Sequence, residues 1–411
     1  MAGNVHRAAY REFWKSQIQP DEWVLQVLEE GYRLPFKDGE PHQAYRERNN
    51  KSAMDNLPFL RQEVLKYKSR GVVQQWDVPP LYVSPLTVAS RELPLEETKN
   101  RMCIDLSRWI NKWLNKENVT LTSLEKALRS LLPGNYMATY DLASAYHHVR
   151  IHPDHWKFLG FSSTDEAGKD IFYVFTCMPF GLASATHCLA RLTKPICAFL
   201  AKEGIWNTIY IDDGWIPALL KFLAQQNLLR TLHVLKQAGF VISEDKADST
   251  DMVSQTKEYL GFIIDSLQMI VSAPQRKIDE CRSLLIEAVR EAEMPAKKLA
   301  KALGKVLALE IATGPVVQLL SRVAQAELAE TVEAAHWSVT VRLSGEAKEA
   351  LELLAACLPD FNGYPIRNEA TAVPLNKFIS ESAHTQGRYV HEYSRPAITW
   401  WYVCMYVCMY V

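Results

Sequence analysis

The 411-residue sequence has no C-x-x-C pair among its eight cysteines, no apolar run of membrane-spanning length and almost no net charge. Each absence excludes something. Unpaired cysteines set among apolar neighbours read as core thiols of a reducing compartment, not as a zinc ribbon or a redox dithiol. The opening MAGNVHRAAYREFW carries no apolar h-region, so no secretory signal is expected. Without a spanning segment no membrane partner is expected, and the default is an intracellular protein of the cytoplasm or nucleus. Lys and Arg number 46 against 47 Asp and Glu, for a formal charge of -1. A nucleic-acid partner would therefore have to be held by local patches and not by a global basic field.

What is present is an ordinary globular composition, 48% hydrophobic, on a chain long enough for more than one domain. DEWVLQVLEEGY (21–32) repeats Trp23, Val24, Val27 and Leu28 at helical spacing, with Gly31 to end the helix. FLRQEVLKYKSRG (59–71) reads as a second helix, and the proline-rich DVPPLYVSPL after it as extended chain. RMCIDLSRWI and YMATYD read as strands; KFLGFSS and DIFYVFTCM read as a hairpin. GLASATHCLARLTKPICAFLAKEG is a helix in which Pro195 implies a kink or change of geometry. WNTIYIDDGWIPA reads as two short strands about a tight turn, because Asp-Gly is a strong hairpin signal. LLKFLAQQNLLRTLHVLKQAG is an amphipathic helix closed by Gly239, and EYLGFIIDSLQMIVS another hairpin-like unit. Beyond about residue 274 helices dominate, broken at Pro295 and Gly314-Pro315, with Ile278, Cys281, Leu284, Leu285 and Ala288 on one face.

Three acids stand where chemistry could be done. Asp141 ends the strand YMATYD, and Asp212 and Asp213 sit in the turn of a short hairpin. Carboxylates at strand ends can converge on divalent cations, and two such ions about 3.5–4 Å apart activate an attacking oxygen and steady a leaving one. On spacing alone Asp-Asp-Gly is more often a plain turn. The order of the surrounding segments reverses that preference: KNRMCIDLSRWIN, TYDLASAYHHVRIHPDHWKFLGF, FTCMPFGLASATHCLARL, YIDDGW, LKQAGFVISEDK and YLGFIID follow one another.

Together these segments resemble the successive motifs of reverse transcriptases, over roughly residues 20–365. WVLQVLEEGYRLPF upstream and FNGYPI downstream look most like DIRS-type retrotransposons, near the gypsy-type elements. The resemblance implies an α+β right-hand polymerase: fingers, a palm with an antiparallel sheet, and a helical thumb. It implies an RNA-directed DNA polymerase that adds dNTPs to a primer 3′-OH on an RNA or DNA template. It assigns Asp141 and Asp212, with the Leu142 carbonyl, to two Mg²⁺ ions (Mn²⁺ as a substitute), and Asp213 to support. Tyr146 matches the aromatic gate under the sugar. Lys99 and Arg101 match the residues that clamp the triphosphate, Arg in a forked geometry. Phe180 and Gly181 would pack against nucleotide and template. Lys246 is a candidate proton donor to pyrophosphate, and Gly261 and Phe262 resemble the primer grip. Arg276, Lys277, Arg282, Lys297, Lys298, Lys301 and Lys305 either grip the duplex or form a solvated face, since acids are interleaved among them.

The expected organisation is an N-terminal helical extension (1–75), fingers and palm (76–274), thumb (275–335), a connection (336–372), a truncated ribonuclease H-like start (373–401) and a repeat tail (402–411). Asn111 lies six residues after Asp105, one more than in typical retroviral sequences. FISESAHTQGRYVHEY places Glu381 where a ribonuclease H has Asp, so no ribonuclease H activity is expected. The closing YVCMYVCMYV is what a translated TATG repeat spells. His147, His148, His152 and His155 lack a cysteine pair to complete a zinc site. Trp14, Trp23 and Trp76 read as packing residues before base platforms. Two other classes stay open: an inactive or co-opted relic that binds nucleic acid, and a two-metal nuclease, which would need neither Tyr146 nor the Lys99/Arg101 clamp.

Overall fold

The computed structural model describes residues 2–92, 98–115, 117, 121, 123–165, 167–243 and 253–366. Lys246, the 373–401 segment with Glu381 and the repeat tail lie outside them. The helix Glu22–Glu30 starts where Asp21 accepts a hydrogen bond from the Val24 N–H (2.9 Å) and stops at Gly31. Gly31 takes a φ of 98°, which a side chain resists. The helix Ala185–Lys202 runs through Pro195, which removes one backbone donor without ending the helix. Seven of its residues, Leu189 and Leu192 among them, are buried.

The chain forms two compact units. The first joins residues 1–123 to 138–253. One of its sheets has five strands in the order Tyr45–Arg46, Tyr82–Val83, Gly160–Thr164, Asp170–Phe175, Val73–Trp76. Gly160–Thr164 and Asp170–Phe175 form the expected antiparallel hairpin. Leu86–Glu92 and Thr98–Ile104 form a second hairpin, Ala89 facing Arg101. In another sheet, Tyr136–Asp141 lies beside Asp213–Ala218, which pairs antiparallel with Thr208–Tyr210. Trp215, Phe158, Phe161 and Phe240 are among its largest buried side chains. The N-terminal segment is stitched to the end of the helix Lys221–Gln237. The Trp14 indole donates to the Ala238 carbonyl (2.9 Å) and Asn4 Nδ2 to the Gly239 carbonyl (2.6 Å).

The second unit joins 124–137 to the residues from 254 onward. Thr256–Tyr259, Phe262–Asp265 and Ile270–Ser272 form an antiparallel meander, edged by Tyr364–Pro365. Its long helices are Gln275–Arg290, Ala296–Leu307, Val316–Ala335 and Gly345–Cys357. Ile278, Cys281, Leu285 and Ala288 are buried as the 3.6-residue period requires, and Leu284 is half-buried. Lys298 is tied to Glu287 and Lys305 to Glu280. These two cations thus already have partners on a mixed, solvated face.

Four histidines, His6, His147, His148 and His155, are buried in the first unit, and the first three have the most depressed pKa values. His148 Nδ1 donates to the Ala145 carbonyl (3.1 Å) while Nε2 accepts from the Val241 N–H (3.1 Å), which fixes a neutral ring. His6 Nε2 accepts from the Arg150 N–H (2.7 Å), and His147 packs against the edge of Tyr67. Burial lowers the pKa of His147 and His148 to about 4 and that of His6 to about 3. In the unfolded chain these rings titrate near 6.5, so between 6.5 and 4 the unfolded state binds more protons. Their contribution is complete above about pH 6.5 and is lost as pH falls. Urea unfolding at about pH 5 is expected to give roughly 2 kcal/mol less stability per histidine than at pH 7.5. A flat profile would contradict this.

Candidate active site

The acids are brought together by main-chain bonds. The Leu142 N–H donates to the Asp212 carbonyl (2.9 Å), so the residue after Asp141 is fastened to the hairpin. On the other side Ser243 N–H donates to the Asp141 carbonyl (2.8 Å) and Ala143 N–H to the Val241 carbonyl (2.9 Å). Asp141 is therefore held between the hairpin and the 241–243 segment. Asp141 and Asp213 are half-buried and Asp212 is exposed.

The hairpin differs from its sequence reading by one step. Asp213 pairs with Tyr210 and Gly214 with Ile209, so the two-residue turn is Ile211-Asp212. Asp213 opens the strand instead of sharing the turn. Ile211 takes a φ of 59°, a costly backbone state for a β-branched residue. Ser144 takes a φ of 52° just before the short 3₁₀ turn that carries Tyr146. Gly214 is required for a different reason than a turn: a Cβ there would lie 2.1 Å from Tyr140 Cζ. The Tyr140 hydroxyl is itself held by Asn207 Oδ1 at 2.9 Å. Gly214→Ala is therefore expected to cost about 3 kcal/mol by overpacking, read as a lowered denaturation midpoint. Wild-type stability in that variant would refute the close approach.

Tyr146 lies five residues after Asp141, with its hydroxyl 3.0 Å from Thr186 Oγ1. Its ring meets Phe180 edge-on, centroids 5.2 Å apart. Burial raises the phenol's pKa, the Thr186 hydrogen bond opposes this, and the Asp212 charge adds to the rise. The tyrosine and the acid therefore sense each other. Phe180 is 40% exposed, a large ring left open. Gly181 has a φ of 101°, and a Cβ there would meet the Ile104 carbonyl oxygen at 2.5 Å. Asn111 braces this turn: its Nδ2 donates to the Gly181 carbonyl (2.8 Å), and its Oδ1 accepts from the Ala183 N–H (2.9 Å). Sequence reasoning noticed Asn111 only as a displaced motif residue and missed Thr186, whose partner is 40 residues away.

Arg101 is exposed on the strand Thr98–Ile104, and Lys99 stands two residues before it, opposite Arg91 in register. In the second unit, Leu260 and Gly261 form the two-residue turn between Tyr259 and Phe262, with φ of 49° and 76°. Lys277 Nζ sits 4.6 Å above the Phe262 ring, and a Cβ on Gly261 would lie 2.5 Å from that nitrogen. The histidines diverge: His148 is bonded to Val241, His155 Nε2 to Glu40, and His152 Nε2 lies 2.8 Å from Arg33.

Carboxylates at a strand end and a hairpin turn are thus fastened to one another, and a tyrosine close by in sequence packs on an open aromatic ring. Residues 96–264 match the family model described as reverse transcriptase (RNA-dependent DNA polymerase). The chain thus carries a reverse transcriptase domain. It is similar to an enzymatic polyprotein of Cestrum yellow leaf curling virus, 24% identical over 228 residues, 51% of this chain and 32% of that protein. It therefore spans about a third of that relative. Among solved structures it is similar to the foamy viral protease-reverse transcriptase in complex with dsDNA, at TM-score 0.62 and 17% identity, covering 89% of this chain and 74% of that one. The same protein in complex with RNA/DNA hybrid gives 0.59 and 17%, covering 86% and 46%. The fold is that of a reverse transcriptase polymerase, mixed α+β.

Proposed function

We propose that this protein is an RNA-directed DNA polymerase of a retrotransposon, extending a primer 3′-OH with dNTPs on an RNA or DNA template. The observation that carries the reading is the Leu142 N–H to Asp212 carbonyl bond, which seats Asp141 beside the hairpin turn in this fold. The donor set suits Mg²⁺. Among the described residues no three His, Cys, Asp or Glu side chains form a cage. A pair of carboxylates with a main-chain carbonyl leaves positions for phosphate oxygens, as Mg²⁺ prefers. Asp141, Asp212 and the Leu142 carbonyl would hold two such ions, which when bound activate the primer hydroxyl and neutralise charge on the phosphates.

The chain's own residues do the rest. Asp213 supports the turn from the first position of its strand. Tyr146, pinned by Thr186 and flanked by Phe180, closes the space below the sugar and excludes a 2′-OH. Lys99 and Arg101 draw the triphosphate by charge, and Lys246 is the proposed proton donor to pyrophosphate. Phe180 and Gly181, kept in place by Asn111, offer a ring and a bare backbone to nucleotide and template. Gly261 and Phe262 hold the primer. In this reading residues 76–274 are fingers and palm, 275–335 thumb and 336–372 connection. The structural neighbours' complexes with dsDNA and RNA/DNA hybrid support a duplex as partner, held by phosphate contact and shape. No helix among the described residues is long and apolar enough to cross a membrane.

The test is primer extension on poly(rA)/oligo(dT) with dTTP. Incorporation in Mg²⁺ that stops in EDTA is expected; a folded protein that incorporates nothing would sink the catalytic reading and leave the non-catalytic binder.

A further inference from the structure

We propose that a cavity in the first unit, lined by none of the residues of the acid pair, is a second binding site, for the phosphate and base of a nucleotide. The cavity has a volume of ≈ 630 Å³. That lies in the range of sites that take nucleotide-sized ligands. Three arginines line it: Arg11, Arg70 and Arg150. Among the described residues none of the three side chains has an ion pair or a hydrogen bond. Arg70 and Arg150 are exposed.

Neither acid in the wall forms an ion pair with them. Glu29 is held by Lys15 at 2.5 Å, and Glu30 lies 3.9 Å from Arg33 Nε. Neither Lys15 nor Arg33 lines the cavity. His6, also in the wall, is neutral: its Nε2 accepts from the Arg150 N–H, and burial and the neighbouring Arg150 and Arg11 charges keep it unprotonated. The three guanidiniums thus line the cavity without an ion pair to either acid, although Glu29 feels the Arg11 charge. Their planar donor forks match phosphate oxygens. Arg150 is also preset, because its side chain lies against Gly3, where a Cβ would fall 2.3 Å from Arg150 Cγ.

The base end is Trp156. Its ring is half-buried and its Nε1 is already spent on the Ile151 carbonyl (2.8 Å), so only its aromatic surface is on offer. An aromatic ring in the same wall as guanidiniums can stack a base while the arginines take the phosphates. Thr176, whose hydroxyl donates to the Gly71 carbonyl (2.7 Å), fills the wall without competing.

The phosphorylated nucleotide has two possible sources, a free nucleoside triphosphate or the end of a strand. Calorimetry on the whole chain in EDTA separates them and does not depend on the acid pair being active. ATP and a 5′-phosphorylated oligo(dT) are titrated in parallel. Saturable binding of ATP assigns the site to free nucleotides; binding of the oligonucleotide alone assigns it to strand ends. Either is expected to weaken at least tenfold in Arg70→Gln/Arg150→Gln, with primer extension retained. Arg11→Gln is the second variant should the double one fail to fold. Trp156→Leu is expected to keep tripolyphosphate binding and weaken ATP. No saturable binding of either probe, or unchanged binding in a folded arginine variant, overturns the proposal.

Discussion

Asp212→Asn is expected to lower dTTP addition on poly(rA)/oligo(dT) by about a thousandfold or more, whereas Asp213→Asn is expected to lower it by about tenfold. The two acids are adjacent in sequence but not equivalent in structure. Asp212 is the second residue of the turn, exposed, and its carbonyl receives the bond from Leu142. Asp213 is the first residue of the strand, half-buried and paired with Tyr210. The proposal assigns the metal to the turn residue, Asp212, and the bracing of the hairpin to the strand residue, Asp213. Single-turnover rates at saturating Mg²⁺ read the difference directly. Equal losses in the two variants would contradict this division of labour.

Tyr146→Val is expected to raise incorporation of UTP relative to dTTP by about a hundredfold, with the dTTP rate changed less than tenfold. That ratio corresponds to a steric clash of about 3 kcal/mol. The clash requires a ring that cannot yield. Two contacts hold it: the Thr186 hydroxyl at 3.0 Å and the Phe180 ring at 5.2 Å. Thr186→Val, which removes the hydroxyl and keeps the shape, should therefore give a smaller shift in the same direction. Competition between labelled UTP and dTTP measures both variants. Unchanged discrimination in Tyr146→Val would remove the gate from the account.

The ordered motifs let the residues of the candidate site be named from the sequence, but not its detailed geometry. The strand ending at Asp141 and the hairpin after Asn207 were readable because both are local patterns, an apolar run and an Asp-Gly pair. The register of the hairpin was not. The sequence signal put the turn on Asp-Gly, whereas the strands pair so that Gly214 lies against the buried Tyr140 ring, itself bonded to Asn207, and the turn falls on Ile211-Asp212. That is a packing effect between strands, invisible to local propensity. Asn111 and Thr186 escaped for a related reason: each acts on a residue 40 or more positions away. The seating of Trp14 on Ala238, 224 residues apart, likewise leaves no periodic trace. Helices and their ends were readable where the signals are short-range, as at Asp21 and Gly31. Pro195 shows the limit of such a signal, because a buried face with Leu189, Leu192 and Ile196 sustains the helix across it.

The central claim is that Asp141 and Asp212 serve one metal-dependent site. A double-mutant cycle tests it most directly, using Asp141→Glu and Asp212→Glu, which keep the charge and shift the oxygens. Single-turnover dTTP addition is measured across a Mg²⁺ titration for wild type, both single variants and the double variant. Groups that act as a unit give strongly non-additive losses. The expected result is that each single change costs nearly as much as both together, with the Mg²⁺ requirement raised in each. Losses that multiply independently, or addition that proceeds without a divalent metal, would contradict the account.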